Sequence, residues 1–133
     1  MTAQTEALVF DAYGTLFDVH SVTRLAESHF PGKGTALSQA WRAKQLDYTW
    51  LRSLMGRYDD FGTVTADALD WSLDSLGLAA PPGTRTALLR AYRELAPFPE
   101  VRGALARLAR GRMLAILSNG HPDMLDAVID HND

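Results

Sequence analysis

The chain has 133 residues, of which 47% are hydrophobic, and its 13 Lys and Arg against 16 Asp and Glu leave a formal charge of −3. That length suits one domain with a real core and is short for two, and the charge balance offers no generalised nucleic-acid surface. The absence of cysteine excludes disulfides, thiolate metal sites and thiol nucleophiles. No apolar run reaches membrane-spanning length, and the stretch from Met1 to Glu6 lacks the basic and apolar regions of a signal peptide, so the expected location is cytoplasmic.

Leu8-Val9-Phe10-Asp11-Ala12-Tyr13-Gly14-Thr15-Leu16-Phe17 reads as a short buried strand that delivers Asp11 into a turn. An acid at a strand exit is placed for chemistry, because ligands of open α/β sheets sit beyond the carboxyl ends of the strands. An ordinary turn or cap aspartate is the alternative. Val22, Leu25, Ala26 and His29 then follow at helical spacing, with Ser21 as the expected N-cap. Pro31-Gly32-Lys33-Gly34 ends that helix. From Ala36 to Gly56 runs the longest helical stretch, with Thr35 as its expected cap. Two apolar stripes, Leu37, Trp41, Tyr48, Leu51 and Met55, and Leu46, Trp50 and Leu54, predict a helix buried on more than one side.

Arg42 lies between the stripes, near Ser38, Gln45 and Thr49. A guanidinium flanked by apolar surface takes either an anionic partner or a snorkelling path to water. Trp41, Tyr48 and Trp50 read more readily as core than as a substrate box. Arg57 to Gly62 is a turn-rich connection. Thr65 is the expected cap of a helix through Leu69, Leu73 and Leu76, closed by Gly77. Thr84 to Leu95 repeats the helical pattern until Pro97-Phe98-Pro99 stops it. Residues 21–96 are thus expected to be helical throughout, an insertion between two pieces of something else.

Val101, Leu105 and Leu108 predict a helix ended by Gly111, and Met113 to Leu117 is an apolar run of strand length that ends in Ser118-Asn119-Gly120. Pro122 suits the first turn of a further helix and Asp123 complements its dipole. Helix, strand, polar turn and helix make a right-handed crossover unit, so the two strands are expected to be parallel neighbours with their polar exits on one edge. A parallel sheet buried on both faces cannot stand on two strands. The expectation is therefore that another chain completes the sheet, or that the sequence is the front part of a longer protein.

With these elements placed, the residues resemble the haloacid dehalogenase superfamily, and within it the L-2-haloacid dehalogenase branch. Asp11-Ala12-Tyr13-Gly14-Thr15-Leu16 resembles the first motif, whose leading Asp is the nucleophile. Superfamily phosphatases mostly carry a second Asp two positions later, as general acid and part of a magnesium site. Tyr13 stands there instead, as in the dehalogenase branch. The stretch from Trp41 to Tyr58 resembles the branch's cap helix, and Leu117-Ser118-Asn119-Gly120 the second motif.

The resemblance implies an α/β fold, with a partial Rossmann-like core over residues 1–17 and 98–133 and a helical cap over residues 18–97. It implies hydrolysis of a short (S)-2-haloacid to the (R)-2-hydroxyacid and halide, without metal or other cofactor. Asp11 is the implied nucleophile, with the Thr15 hydroxyl among its donors. Arg42 and Asn119 resemble the halide-contacting pair. Ser118, with amides near Ala12 and Tyr13, resembles the group that holds the substrate carboxylate, while Tyr13, Leu46 and Phe61 match positions lining the apolar side of the pocket. A homodimer using the cap region is also implied, with a small-molecule substrate and neither nucleic acid nor membrane as partner.

The family's third motif supplies a lysine to the nucleophile. The only lysines, Lys33 and Lys44, lie in the helical insertion. That sharpens the expectation of a truncated chain with little activity of its own. A superfamily phosphatase and a non-catalytic chain acting by association are the competing readings. His20, His29, His121 and His131 lack metal-ligand spacing and read as surface or loop residues, with a minor pocket role left open for His121 beside the second motif.

Overall fold

The computed structural model describes residues 5–133. Its elements are β1 (Ala7–Phe10), a 3-10 turn (Val19–Val22), α1 (Thr23–His29), α2 (Gly34–Leu54), α3 (Phe61–Ser75), α4 (Thr84–Tyr92), α5 (Val101–Leu108), β2 (Met113–Ile116) and α6 (Pro122–His131). The architecture is α/β. β1 and β2 pair in parallel with Ala7 opposite Met113 and Phe10 opposite Ile116, so the chain leaves both strands at the same end of the sheet.

Helices fill the interval between the strands. α2 packs on α1 and α3, and α4 closes against α1. The core of this bundle is Ala26, Leu37, Trp41, Leu69, Leu88 and Tyr92, all buried. Trp41 and Tyr92 meet at 4.8 Å between ring centroids, and the Trp41 indole N–H donates to the Thr65 carbonyl over 2.8 Å, so the large apolar ring is buried without an orphaned donor. Where the chain enters and leaves the bundle, Asp18 N–H donates to the Ala96 carbonyl (2.8 Å) and Phe98 N–H to the Leu16 carbonyl (3.1 Å). The two crossings therefore run side by side.

Several local expectations are corrected. Asp18, not Ser21, caps the first helical segment, its carboxylate accepting the His20 N–H at 2.9 Å. Ser21 Oγ instead accepts the Ala96 N–H. Thr35 lies inside α2, whose N-cap is Lys33 with no side-chain bond. Thr65 lies inside α3 and is buried there, because α3 starts four residues earlier behind the Asp60 N-cap. β1 is not a buried strand: Val9 is 62% exposed, since no further layer covers that face among the described residues. Nor is α2 buried along its length. Leu37, Trp41 and Gln45 are buried, whereas Trp50, Leu51 and Leu54 of its last turns, and Met55 at its C-cap, are exposed.

Asp60 makes the clearest helix start. Its carboxylate accepts the Thr63 N–H (3.0 Å) and hydroxyl (2.8 Å), and these bonds hold its carboxyl below the usual range. Asp60→Ala is expected to cost about 1 kcal/mol in unfolding followed by far-ultraviolet circular dichroism. Because the folded pKa is depressed, this contribution is present above the unfolded value of about 4 and is lost as pH falls through the folded one. The gap between wild type and variant therefore narrows in acid. No helix among the described residues is long and apolar enough to cross a membrane.

Candidate active site

The turn after β1 is built from backbone bonds. The Ala12 carbonyl accepts the N–H groups of Leu16 (2.9 Å) and Phe17 (3.0 Å), and Gly14 N–H returns to the Phe17 carbonyl (2.8 Å). Gly14 sits at φ +89°, a conformation that a side chain would strain. The curl brings Thr15 back under Asp11, where its hydroxyl donates to Asp11 Oδ2 over 2.9 Å. Asp11 itself is exposed.

Arg42 reaches this turn from α2. Its Nη2 donates to the Tyr13 carbonyl at 3.1 Å and its Nη1 to Gln45 Oε1 at 2.7 Å. The side chain is half-buried and makes no ion pair among the described residues. A guanidinium carries five N–H donors, so donors remain for a ligand.

From the other strand, the turn after β2 supplies Ser118 and Asn119. Ser118 Oγ accepts the Gly120 N–H at 3.0 Å, which tightens the turn. Gly120 is required by close approach: a Cβ there would lie 2.7 Å from Tyr13 Cε2 and 3.1 Å from Leu125 Cγ. The second turn thus rests directly on the Tyr13 ring. Gly120→Ala is expected to push the Ser118-Asn119 turn away from Asp11, which nuclear magnetic resonance shift changes at Tyr13 and Asn119 would report.

Asp11, Tyr13, Arg42, Leu46, Phe61, Ser118 and Asn119 line one cavity of about 170 Å³. Seven of the nine residues singled out from the sequence therefore meet. Thr15 joins through its bond to Asp11. Ala12 does not line the cavity; its methyl is fully buried, and its carbonyl closes the turn. Thr49 and Trp50 line the cavity as well. Trp50, expected in the core, is 59% exposed and forms part of the rim. A depression of about 260 Å³ adjoins the cavity, shares Thr49, Phe61, Ser118 and Asn119 with it, and is bordered by Arg52 and His121.

Tyr13 is 5% exposed and packs 5.1 Å from the Phe61 ring. Its hydroxyl finds no partner among the described residues. Burial pushes the phenol up to about 12, with Tyr92 adding to the rise and Arg93 opposing it, so the ring stays neutral. No group of three or more His, Asp or Glu side chains is placed to hold a metal among the described residues. His20, His121 and His131 are exposed as expected, and His29 is half-buried with its ring against the Thr84 hydroxyl.

A model of the haloacid dehalogenase-like hydrolases matches residues 5–133. The chain is 53% identical over 127 residues to the (S)-2-haloacid dehalogenase of Pseudomonas sp. (strain YL), a match covering 95% of this chain and 55% of that protein. Among solved structures it is similar to the L-2-haloacid dehalogenase of Xanthobacter autotrophicus, with a TM-score of 0.88 and 49% identity over 96% of this chain and 52% of that one. A structure of that enzyme with chloropropionic acid covalently bound matches with a TM-score of 0.88 and 48% identity, over 96% of this chain and 52% of that one. The chain spans about half the length of the curated relatives it matches. Matched by the family model over nearly its whole length and by relatives at about half identity, the chain belongs to the haloacid dehalogenase-like hydrolases.

Proposed function

We propose that the protein is an (S)-2-haloacid dehalogenase, converting a short 2-haloacid to the (R)-2-hydroxyacid and halide. The observation that carries this reading is the convergence of Asp11, Arg42, Ser118 and Asn119 on one small cavity, in a chain similar to the (S)-2-haloacid dehalogenase of Pseudomonas sp. (strain YL).

In the proposed reaction an Asp11 carboxylate oxygen attacks the substrate α-carbon in line with the carbon–halogen bond. That bond breaks, the halide leaves with its electron pair, and an aspartyl ester forms. Thr15 holds Oδ2, which leaves the other oxygen free to attack. Arg42 and the Asn119 amide cradle the departing halide, since preorganised donors stabilise charge that develops in the transition state. Ser118 and the turn amides near Ala12 and Tyr13 hold the substrate carboxylate, while Tyr13, Leu46 and Phe61 cover its apolar side. Water then attacks the ester carbonyl of Asp11, the acyl–oxygen bond breaks, and the hydroxyacid takes a proton as it leaves. The configuration inverts once.

The paired crossings at Asp18–Ala96 and Leu16–Phe98 support a division into a core of residues 1–17 and 98–133 and a cap of residues 18–97. Exposed Trp50, Leu51, Leu54, Met55 and Tyr58 support a homodimer that uses the cap. The cysteine-free composition fits a cytoplasmic setting.

The test is halide release from each enantiomer of 2-chloropropionate by the whole protein. Release from the (S) form alone is expected. Equal release from both enantiomers, or none, overturns the reading. Magnesium-dependent hydrolysis of an aryl phosphate would favour a phosphatase, against which Tyr13 stands at the position of the phosphatases' second Asp.

A further inference from the structure

Gln45 is fully buried on α2, one helical turn beyond Arg42. Its Oε1 accepts from Arg42 Nη1 (2.7 Å) and from the Tyr92 hydroxyl (2.9 Å), and its Nε2 donates to Thr65 Oγ1 (2.7 Å). Thr65 Oγ1 in turn donates to the Phe61 carbonyl over 2.6 Å. The direction of every bond is determined. A guanidinium has no acceptor, so the amide must face it with oxygen. Its NH₂ then points to Thr65, whose own hydrogen is committed to Phe61. No flip of the amide satisfies these partners.

The consequence is mechanical. Arg42 is pinned at Nη1 by Gln45, within the helical bundle, and at Nη2 by the Tyr13 carbonyl, beside the proposed nucleophile. A planar group fixed at two of its nitrogens has its plane and azimuth fixed. We infer that Gln45 is a positioning residue for Arg42, holding the guanidinium so that its remaining N–H groups face the leaving halogen in the cavity. Gln45 does not line the cavity. It acts through Arg42, with Thr65 and Tyr92 setting its own orientation. The inference rests on the dehalogenase reading for what Arg42 faces, but not for how Arg42 is held.

A merely structural Gln45, tying α2 to α3 and α4, would lower stability and depress all reactions alike. A positioning Gln45 has a leaving-group signature, because chloride, the poorer leaving group, depends more on donated hydrogen bonds than bromide. For Gln45→Leu the expected result is a kcat on (S)-2-chloropropionate about tenfold further reduced than on (S)-2-bromopropionate, with KM changed by less than about threefold. Gln45→Glu, whose carboxylate still accepts from Arg42 and Tyr92 while the Thr65 hydroxyl hydrogen turns to it from the Phe61 carbonyl, restores the bromide-to-chloride ratio. Equal losses on both halides, or no loss, overturn the inference.

The second arm needs no turnover. In the 15N-arginine spectrum of this chain, the two Arg42 Nη groups are expected to be resolved, and in Gln45→Leu, where the Tyr13 carbonyl is the remaining tether, to exchange faster and coalesce. Groups that stay resolved in the variant, or that are merged in the wild type, overturn the inference. Should Gln45→Leu not fold, the isosteric Gln45→Met carries both arms with the same expected outcomes. A whole-protein wild type that releases no halide defeats the dehalogenase reading while the Nη signals still decide the positioning.

Discussion

Asp11→Asn is expected to lower halide release by about four to six orders of magnitude, the scale on which enzymes lose activity when the nucleophile or its direct partner is removed. The neutral amide cannot attack the α-carbon with a full negative charge, so the ester never forms. The fold is expected to survive. Asp11 is exposed and lies beyond the end of β1, and among the described residues its side-chain bond is the one from Thr15, itself exposed. Unchanged thermal unfolding beside lost activity separates a chemical role from a structural one. Mass spectrometry adds a direct reading: wild type quenched during turnover carries the mass of the substrate's carboxyalkyl group, esterified to Asp11, on the peptide that contains Asp11, and the variant carries none. Substantial halide release by Asp11→Asn would move the nucleophile elsewhere.

Arg42→Ala is expected to reduce kcat by about two to three orders of magnitude, the usual consequence of removing one preorganised donor to a developing anion. Arg42→Lys recovers little of it. One ammonium cannot reach both the Tyr13 carbonyl and Gln45 Oε1, which the guanidinium spans with two different nitrogens. At least one of these two acceptors loses its donor in both variants, so a modest loss of stability accompanies the kinetic effect. Steady-state kinetics on both halides check the result, and a loss carried by KM alone would assign Arg42 to substrate binding instead.

The site was legible in the sequence where its signals are local. Asp11, Gly14 and Thr15 lie within one turn, and the turn's own backbone bonds bring the hydroxyl to the carboxylate. Ser118 and Asn119 follow a strand whose parallel partner is β1, so the two polar exits had to meet. Gln45 was not legible as an active-site support. On a helical wheel it neighbours Arg42 like any solvated glutamine, and its burial is decided by Thr65 and Tyr92, which lie twenty and forty-seven residues further along.

The misplaced caps have the same origin. Ser21 and Thr65 are good cap residues by type, but Asp18 and Asp60 stood a few positions earlier with free carboxylates, and the helices began there. The apolar stripes of α2 were read correctly as stripes, and what they meet was not. Past Tyr48 the helix still reaches α3 through Arg52, which pairs with Asp67, but its apolar side chains point elsewhere, so Trp50 became a cavity rim and Leu54 stayed 84% exposed.

Each strand of the two-stranded sheet has a neighbour on one side only among the described residues. Such rails of unpaired N–H and C=O groups are templates for adding another strand from any chain that comes near. Apolar Val9 and Met113, 62% and 67% exposed on one face of the sheet, add an apolar surface beside those open edges. A self-association measured on this polypeptide therefore has two physically distinct sources, strand addition at the sheet and helix contact at Leu51, Leu54 and Met55. Only the second would vanish on replacing those three side chains with polar ones.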